Sequence, residues 1–120
     1  MSISNKPKTV NILGVTYKIE YVTNPSEVDI FKRSSLWGQI DYWTRTIRVY
    51  DNGRSIEDIW QTIWHEVLHG IGYTLKLENL TDEKYHNELD VLALAVTDIL
   101  FRNNWFEFND KIAGKKDKKK

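Results

Sequence analysis

The 120-residue sequence predicts an α+β domain in which a small antiparallel sheet of three to four strands packs on two main helices. Three observations predict it. Polar and apolar residues alternate through the first fifty positions, apolar residues recur at helical spacing after residue 55, and hydrophobic residues make up 41% of the chain. Because this length supports one core, we expect a single domain over residues 1–110.

The strand patterns lie in the first half of the chain. The segments TVNIL and VTYKIEYV alternate around Gly14 and predict a hairpin, and WGQIDYW followed by TIRVY predicts a second pair. The connection over residues 28–36 has no clear pattern. Gly38, inside the third segment, predicts a bulge or a close approach of the backbone to a neighbouring element.

Two helices are predicted in the second half of the chain. The first should run over about 56–73, because Ser55 followed by Asp58 resembles a capping arrangement and two glycines lie near the end. The second should run over about 81–102, because a threonine followed by two acidic residues suits a helix N-terminus. Beyond it, WFEFNDKI could form a short docking segment.

The composition excludes several classes of protein. The chain has no cysteine, which excludes disulfides, thiolate zinc sites, iron–sulfur clusters and a cysteine nucleophile. No apolar run approaches the roughly 18 residues that a membrane-spanning helix needs, and the N-terminus lacks the apolar region of a secretory signal. We therefore expect a cytoplasmic protein that makes no membrane contact.

The zero net charge hides two unequal parts. Residues 111–120 contain six lysines and one aspartate, a charge of 6 − 1 = +5. The preceding 110 residues contain 17 − 6 = 11 basic and 17 − 1 = 16 acidic side chains, a charge of −5. This pattern predicts an acidic body with a disordered basic tail. Because the body has no basic stripe, we expect no specific nucleic-acid binding.

The predicted first helix contains the sequence His65-Glu66-Val67-Leu68-His69. Residues four apart share one face of a helix, so two imidazoles can converge on one metal ion. Glu66 lies about 100° around the helix, where it could accept a proton from metal-bound water and deliver it to a leaving amine. The histidine face carries no positive charge, which indicates partial cover by another element, and Gly72 would let that element come close.

A zinc site needs a third protein ligand, and the second helix should supply it. Glu88 lies at the edge of the apolar face that Leu92 and Ala95 define, so packing would turn its carboxylate inward. His86 lies about 160° from Glu88 by helical rotation, and we set it aside. The sequence therefore favours Glu88 from the candidates Glu83, His86, Glu88, Asp90 and Asp98, with Glu83 and Asp58 as replacements if Glu88 fails.

HEVLHGIGY, followed nineteen residues later by ELDVLALAVTDIL, resembles the gluzincin-type metallopeptidases of the ImmA/IrrE kind, which include small phage and prophage proteins. The resemblance covers roughly residues 36–102, with Val and Leu in place of two residues of the loose second motif. It implies a zincin-like fold, Zn²⁺ held by His65, His69 and Glu88, and Glu66 as the acid and base. SprT-like proteases share the HExxH helix and usually add a third histidine, but His86 lies on the wrong phase for that role.

Two functions remain open at this point. The first is a zinc-dependent metallopeptidase that cleaves a peptide or protein substrate, which could add as a strand along residues 38–42. The second is a non-catalytic phage or prophage accessory or interaction module that keeps a metallopeptidase-like fold. For the first function the residue that would stabilise the oxyanion is undecided between Tyr42, Tyr73 and Tyr85. The sequence leaves the oligomeric state undetermined.

Overall fold

A computed structural model describes residues 6–29, 36–81, 86–103 and 105. It has four strands and two long helices, and so the predicted α+β class is confirmed. Two short 3₁₀ turns cover Pro25–Glu27 and Glu78–Leu80. The predicted residues Glu83 and Tyr85, the docking segment after Trp105 and the basic tail lie outside the described residues. The elements are β1 (Thr9–Ile12), β2 (Val15–Val22), β3 (Gly38–Asp41), β4 (Thr46–Tyr50), α1 (Ile56–Leu75) and α2 (His86–Arg102).

The four strands form one sheet in the order β1-β2-β4-β3. The two predicted hairpins are present, since β1 pairs antiparallel with β2 and β3 pairs antiparallel with β4. The expectation of a wholly antiparallel sheet is wrong, because β2 and β4 are parallel, with Ile19 opposite Ile47. The connection after β2 leads to the outer position of β3, and the hairpin then returns β4 to the inner position beside β2. As a result, β3 is an edge strand of the described sheet.

Helix α1 begins where the capping pattern predicts. The Ser55 side chain accepts a hydrogen bond from the backbone N–H of Asp58, which satisfies one free donor of the first turn. The helix continues through both glycines to Leu75, where Lys76 in the left-handed conformation ends it. The glycines therefore serve close packing instead of helix termination.

Helix α1 lies between the sheet and α2. On one side its residues Ile59, Ile63 and Val67 join the inward side chains of the sheet in the main core. On the other side Leu68 packs with Leu89 and Ala93 of α2. The burial of apolar surface on both sides stabilises α1. The part of the α1 surface between these two sides faces the edge strand β3.

Within the described ranges, neither helix has the length and apolar content that a bilayer crossing requires.

Candidate metal centre

Three histidine side chains from two helices converge in the structure. His65 and His69 lie one turn apart on α1, and His86 is the first residue of α2. One ligand nitrogen from each ring lies within 4.8 Å of the other two. The Nε2 atoms of His65 and His86 are 3.0 Å apart. Nitrogens bound tetrahedrally to one zinc ion at 2.0–2.1 Å are about 3.3 Å apart, so the three rings need only small shifts to share an ion.

Each histidine of α1 has its second ring nitrogen fixed from outside the cluster. His69 donates its Nδ1–H to the backbone carbonyl of Leu80 at 2.8 Å, so Nε2 is the ring nitrogen that would bind a metal ion. His65 Nδ1 lies 3.2 Å from Oδ1 of Asp90 on α2. A carboxylate or carbonyl on the outer nitrogen sets the tautomer and the ring orientation of a metal-binding histidine.

Gly72 makes the contact with Leu80 possible. A Cβ atom at this position would lie 2.5 Å from the Cβ of Leu80 and 3.1 Å from Cγ2 of Thr81. Without a side chain, the 3₁₀ turn Glu78–Leu80 comes close enough for its last carbonyl to reach His69. The close approach that the sequence predicted at Gly72 is therefore present.

The protonation of His65 suits a metal ligand. Burial, and then the neighbouring His69 and His86, lower the pKa of His65 to about 4, against the partial opposition of Asp90. At neutral pH the His65 imidazole is consequently uncharged and has a lone pair to donate.

Glu66 is buried directly beside the cluster. Its side chain is enclosed between α1 and β3, and burial raises the pKa of this carboxyl to about 8. A hydrogen bond from the backbone N–H of Ile40 acts in the opposite direction. The carboxyl can therefore gain or lose a proton close to neutral pH, as a general acid or base must.

Gly38 brings the edge strand β3 against Glu66. A Cβ atom on this residue would lie 2.5 Å from Cγ2 of Thr62 and 3.1 Å from Oε2 of Glu66. The close backbone approach predicted at Gly38 is thus observed. The backbone N–H of Ile40 donates to Glu66 and therefore not to β4. This N–H group lies on the outer edge of the sheet.

A cavity of about 750 Å³ opens beside the histidines. Residues of β3, α1 and α2 line it, so the cluster and Glu66 are both reachable from outside. Tyr42 also lines the cavity, donates its hydroxyl hydrogen to the backbone carbonyl of His69 at 3.3 Å, and stacks on the more exposed Tyr73. Among the described tyrosines, Tyr42 is therefore the one beside the site.

Comparisons with family models, with curated proteins and with solved structures return no match. The chemistry of the centre therefore has to be inferred from its own residues.

The structure differs from the sequence prediction in the third residue of the cluster. Glu88 is exposed and lies outside the group of three, and His86, which we had set aside, is in its place. The buried residues of α2, Leu89, Ala93 and Thr97, form one stripe, and Leu89 and Ala93 pack against Leu68 of α1. His86 lies on the phase of that stripe, whereas Glu88 is about 140° from its centre.

Asp90, which the sequence does not favour as a ligand, is exposed and lies within hydrogen-bond distance of His65. The signal that could have found both residues is their spacing, since positions 86 and 90 are one turn apart and share a face with Leu89 and Ala93. Asp58, the replacement candidate, lines the cavity without joining the three-histidine group.

Proposed function

We propose that the protein is a zinc-dependent peptidase with His65, His69 and His86 as the metal ligands and Glu66 as the acid and base. The observation that carries this proposal is the convergence of the three histidines beside a buried glutamate at the wall of an open cavity. Three imidazole groups at the wall of an open cavity match catalytic zinc sites, in which three protein ligands leave a fourth position for water. A structural zinc site would more often be closed by a fourth protein ligand.

Bound zinc would supply a Lewis acid that polarises a carbonyl and lowers the pKa of water. The chain's own residues supply the proton transfers. Glu66 can take a proton from the attacking water and give it to the leaving amine, because its pKa of about 8 allows both forms near neutral pH. Tyr42 is the described candidate for a donor to the developing oxyanion, since its hydroxyl group lies beside the site.

The edge strand β3 supports an extended peptide as the substrate. β3 borders the cavity, and main-chain groups of Gly38 and Ile40 face away from β4, with the Ile40 N–H directed at Glu66. A peptide segment could add to this edge and so place one of its own carbonyl groups near the histidines. The zincin-like fold and the ImmA/IrrE resemblance remain part of the proposal, with a histidine in the position for which the resemblance implied Glu88.

Metal analysis of matched variants tests the ligand set. The freshly purified wild type should contain about one zinc per chain, and alanine at any one of the three histidines should remove stoichiometric binding. Glu88→Ala is the matched control on α2 and should keep the metal. Full zinc in His86→Ala together with loss in Glu88→Ala would restore the original assignment and contradict the present one.

Glu66→Gln tests the reaction itself. This variant should keep its fold and its zinc but lose hydrolysis of a peptide library, because an amide cannot accept the proton. Equal cleavage by the wild type and Glu66→Gln would move the reaction to another group. A zinc-loaded wild type that cleaves no peptide would favour the non-catalytic interaction module.

A further inference from the structure

The side of α2 that faces away from α1 carries an unusually regular set of exposed residues. Glu88, Leu92, Ala95, Ile99 and Arg102 are spaced 4, 3, 4 and 3 positions apart and are all exposed. Leu92 and Ile99 keep 45% and 47% of their surface accessible. This spacing places the five residues, here called the outer stripe, along one line of the helix, as in a helix that packs on another helix.

We propose that the outer stripe binds the outer stripe of a second copy of this chain, with the two α2 helices antiparallel. The stripe is self-complementary about Ala95. In an antiparallel pair centred there, Glu88 stands opposite the partner's Arg102, and Leu92 lies within one residue of the level of the partner's Ile99. Because the two copies are related by a twofold axis, each of these contacts is made twice.

The charges of the stripe select this arrangement. A parallel pair would set Glu88 against the partner's Glu88 and Arg102 against the partner's Arg102, which is repulsive at both ends. The antiparallel pair joins opposite charges at both ends. Arg102 is extended along α2 by its ion pair with Asp98 at 2.6 Å, and its side chain is 76% accessible. It is therefore available to a partner.

The size of the side chains also fits a twofold contact. Ala95 at the centre lets the two helix backbones approach closely, while the larger Leu92 and Ile99 pack on either side of it. A 17-residue helix is about 25 Å long, so we expect an interface below the standard size and a dissociation constant in the micromolar range.

The dimer would leave the metal centre accessible. His86 lies about 160° around α2 from Glu88, on the side that packs against α1. The proposal is consequently independent of zinc binding and of catalysis, and both can be varied in the test.

Sedimentation equilibrium of the full chain, with zinc and with EDTA, measures the association. We expect the mass to approach twice the chain mass of 14.2 kDa within the range of about 5–300 μM. Leu92→Glu should weaken the association at least tenfold, because it buries a charge in each half of the contact. Leu94→Glu is the matched control. Leu94 is 51% exposed on the same helix but lies about 160° away from Leu92, so its substitution should leave the dimer intact.

The absence of cysteine from the chain allows a sharper geometric test. Ala95→Cys should form an intersubunit disulfide under mild oxidation, because the twofold axis brings the two introduced thiols together. Leu94→Cys should not. Glu88→Arg and Arg102→Glu should each weaken the association alone, whereas an equimolar mixture of the two should restore it.

Three results would overturn the proposal. The wild type could stay a monomer across the whole concentration range. The outer stripe would then be covered by the chain's own residues beyond Trp105 or by a different protein. Leu94→Glu could weaken the dimer as much as Leu92→Glu does. Ala95→Cys could fail to cross-link at concentrations where the chain is dimeric.

Discussion

Two side chains of the candidate centre have pKa values far from the ordinary values of their residue types. Burial raises the pKa of the Glu66 carboxyl to about 8. Burial and two neighbouring imidazoles lower the pKa of His65 to about 4. In the metal-free protein at neutral pH, this combination adds almost no charge to the site. The cost of burying a charge is thereby avoided until a cation arrives to be bound.

These pKa values predict how the stability of the metal-free chain depends on pH. Between pH 4.5 and 8 the folded chain keeps the Glu66 proton that the unfolded chain loses, so stability falls as pH rises. His65 acts in the opposite direction between pH 4 and 6.5, where the unfolded chain holds a proton that the folded chain lacks. The two contributions oppose each other up to pH 6.5, and above it only the fall due to Glu66 remains.

We therefore expect the free energy of unfolding in EDTA to decrease by on the order of 2 kcal/mol between pH 6.5 and pH 8. Glu66→Gln should remove most of that decrease, because the amide does not titrate. Urea denaturation at a series of pH values measures both proteins. If the free energy of unfolding varied with pH in the same way in the wild type and in Glu66→Gln, the pKa of Glu66 would not be raised.

Asp90 is the residue whose predicted role changes most. Its Oδ1 atom holds His65 Nδ1 at 3.2 Å, so we now expect Asp90→Ala to weaken zinc binding by about 10–100-fold. Asp90→Asn should lose less zinc affinity than Asp90→Ala, because the amide oxygen can still accept the hydrogen on His65 Nδ1. Competition with a chelator measures the affinities. Asp98→Ala is the control on the same helix, and an equal loss in Asp98→Ala would indicate a general effect of removing acidic charge.

At the scale of secondary structure, the sequence predicted most elements and missed how two of them associate. The capping pattern at Ser55 and the alternation around Gly14 are local features, and both appear where predicted. The parallel pairing of β2 with β4 depends on a long connection that carries no periodic pattern. Pairing between distant strands is determined by the whole chain, so local alternation could not reveal it.

The phase of α2 was misjudged for a specific reason. This helix has two apolar stripes, a narrow one with Leu89, Ala93 and Thr97 and a wider one with Leu92 and Ile99. Helical periodicity shows both stripes but does not tell which one packs on α1. The prediction places the wider stripe against α1, which turns Glu88 inward and His86 outward. In the structure the narrow stripe is the buried one, and the small residue Ala93 packs in the cluster between α1 and α2.

The contact between β3 and α1 gives a prediction at this scale. Gly38→Ala should destabilise the chain by about 1–3 kcal/mol, because the new Cβ would lie 2.5 Å from Cγ2 of Thr62. Thr62→Ser removes that methyl group and keeps the hydroxyl oxygen that accepts from Arg54. The double variant should therefore recover part of the loss in thermal or urea denaturation. If the losses of stability in the two single variants simply added in the double variant, the contact with Thr62 would not be the cause of the destabilisation in Gly38→Ala.

At the scale of the whole molecule, the metal centre lies where two layers of the fold meet. The main core joins the sheet to α1, and a separate, smaller cluster around Leu68 joins α1 to α2. The three histidines stand beside the second, smaller cluster, with two on α1 and one on α2. A bound ion would consequently tie α2 to the rest of the chain.

This position predicts a large effect of zinc on thermal stability. A ligand that binds only the folded chain at 100 times its dissociation constant adds about 2.7 kcal/mol, which for a chain of this size raises the melting temperature by about 10 °C. His86→Ala should lose most of that rise because the link to α2 is removed, whereas the exposed Glu88→Ala should keep it. Scanning calorimetry with zinc and with EDTA measures all three proteins. A full zinc-induced rise in His86→Ala would mean that the ion is held by α1 alone, and the three-histidine centre would be refuted.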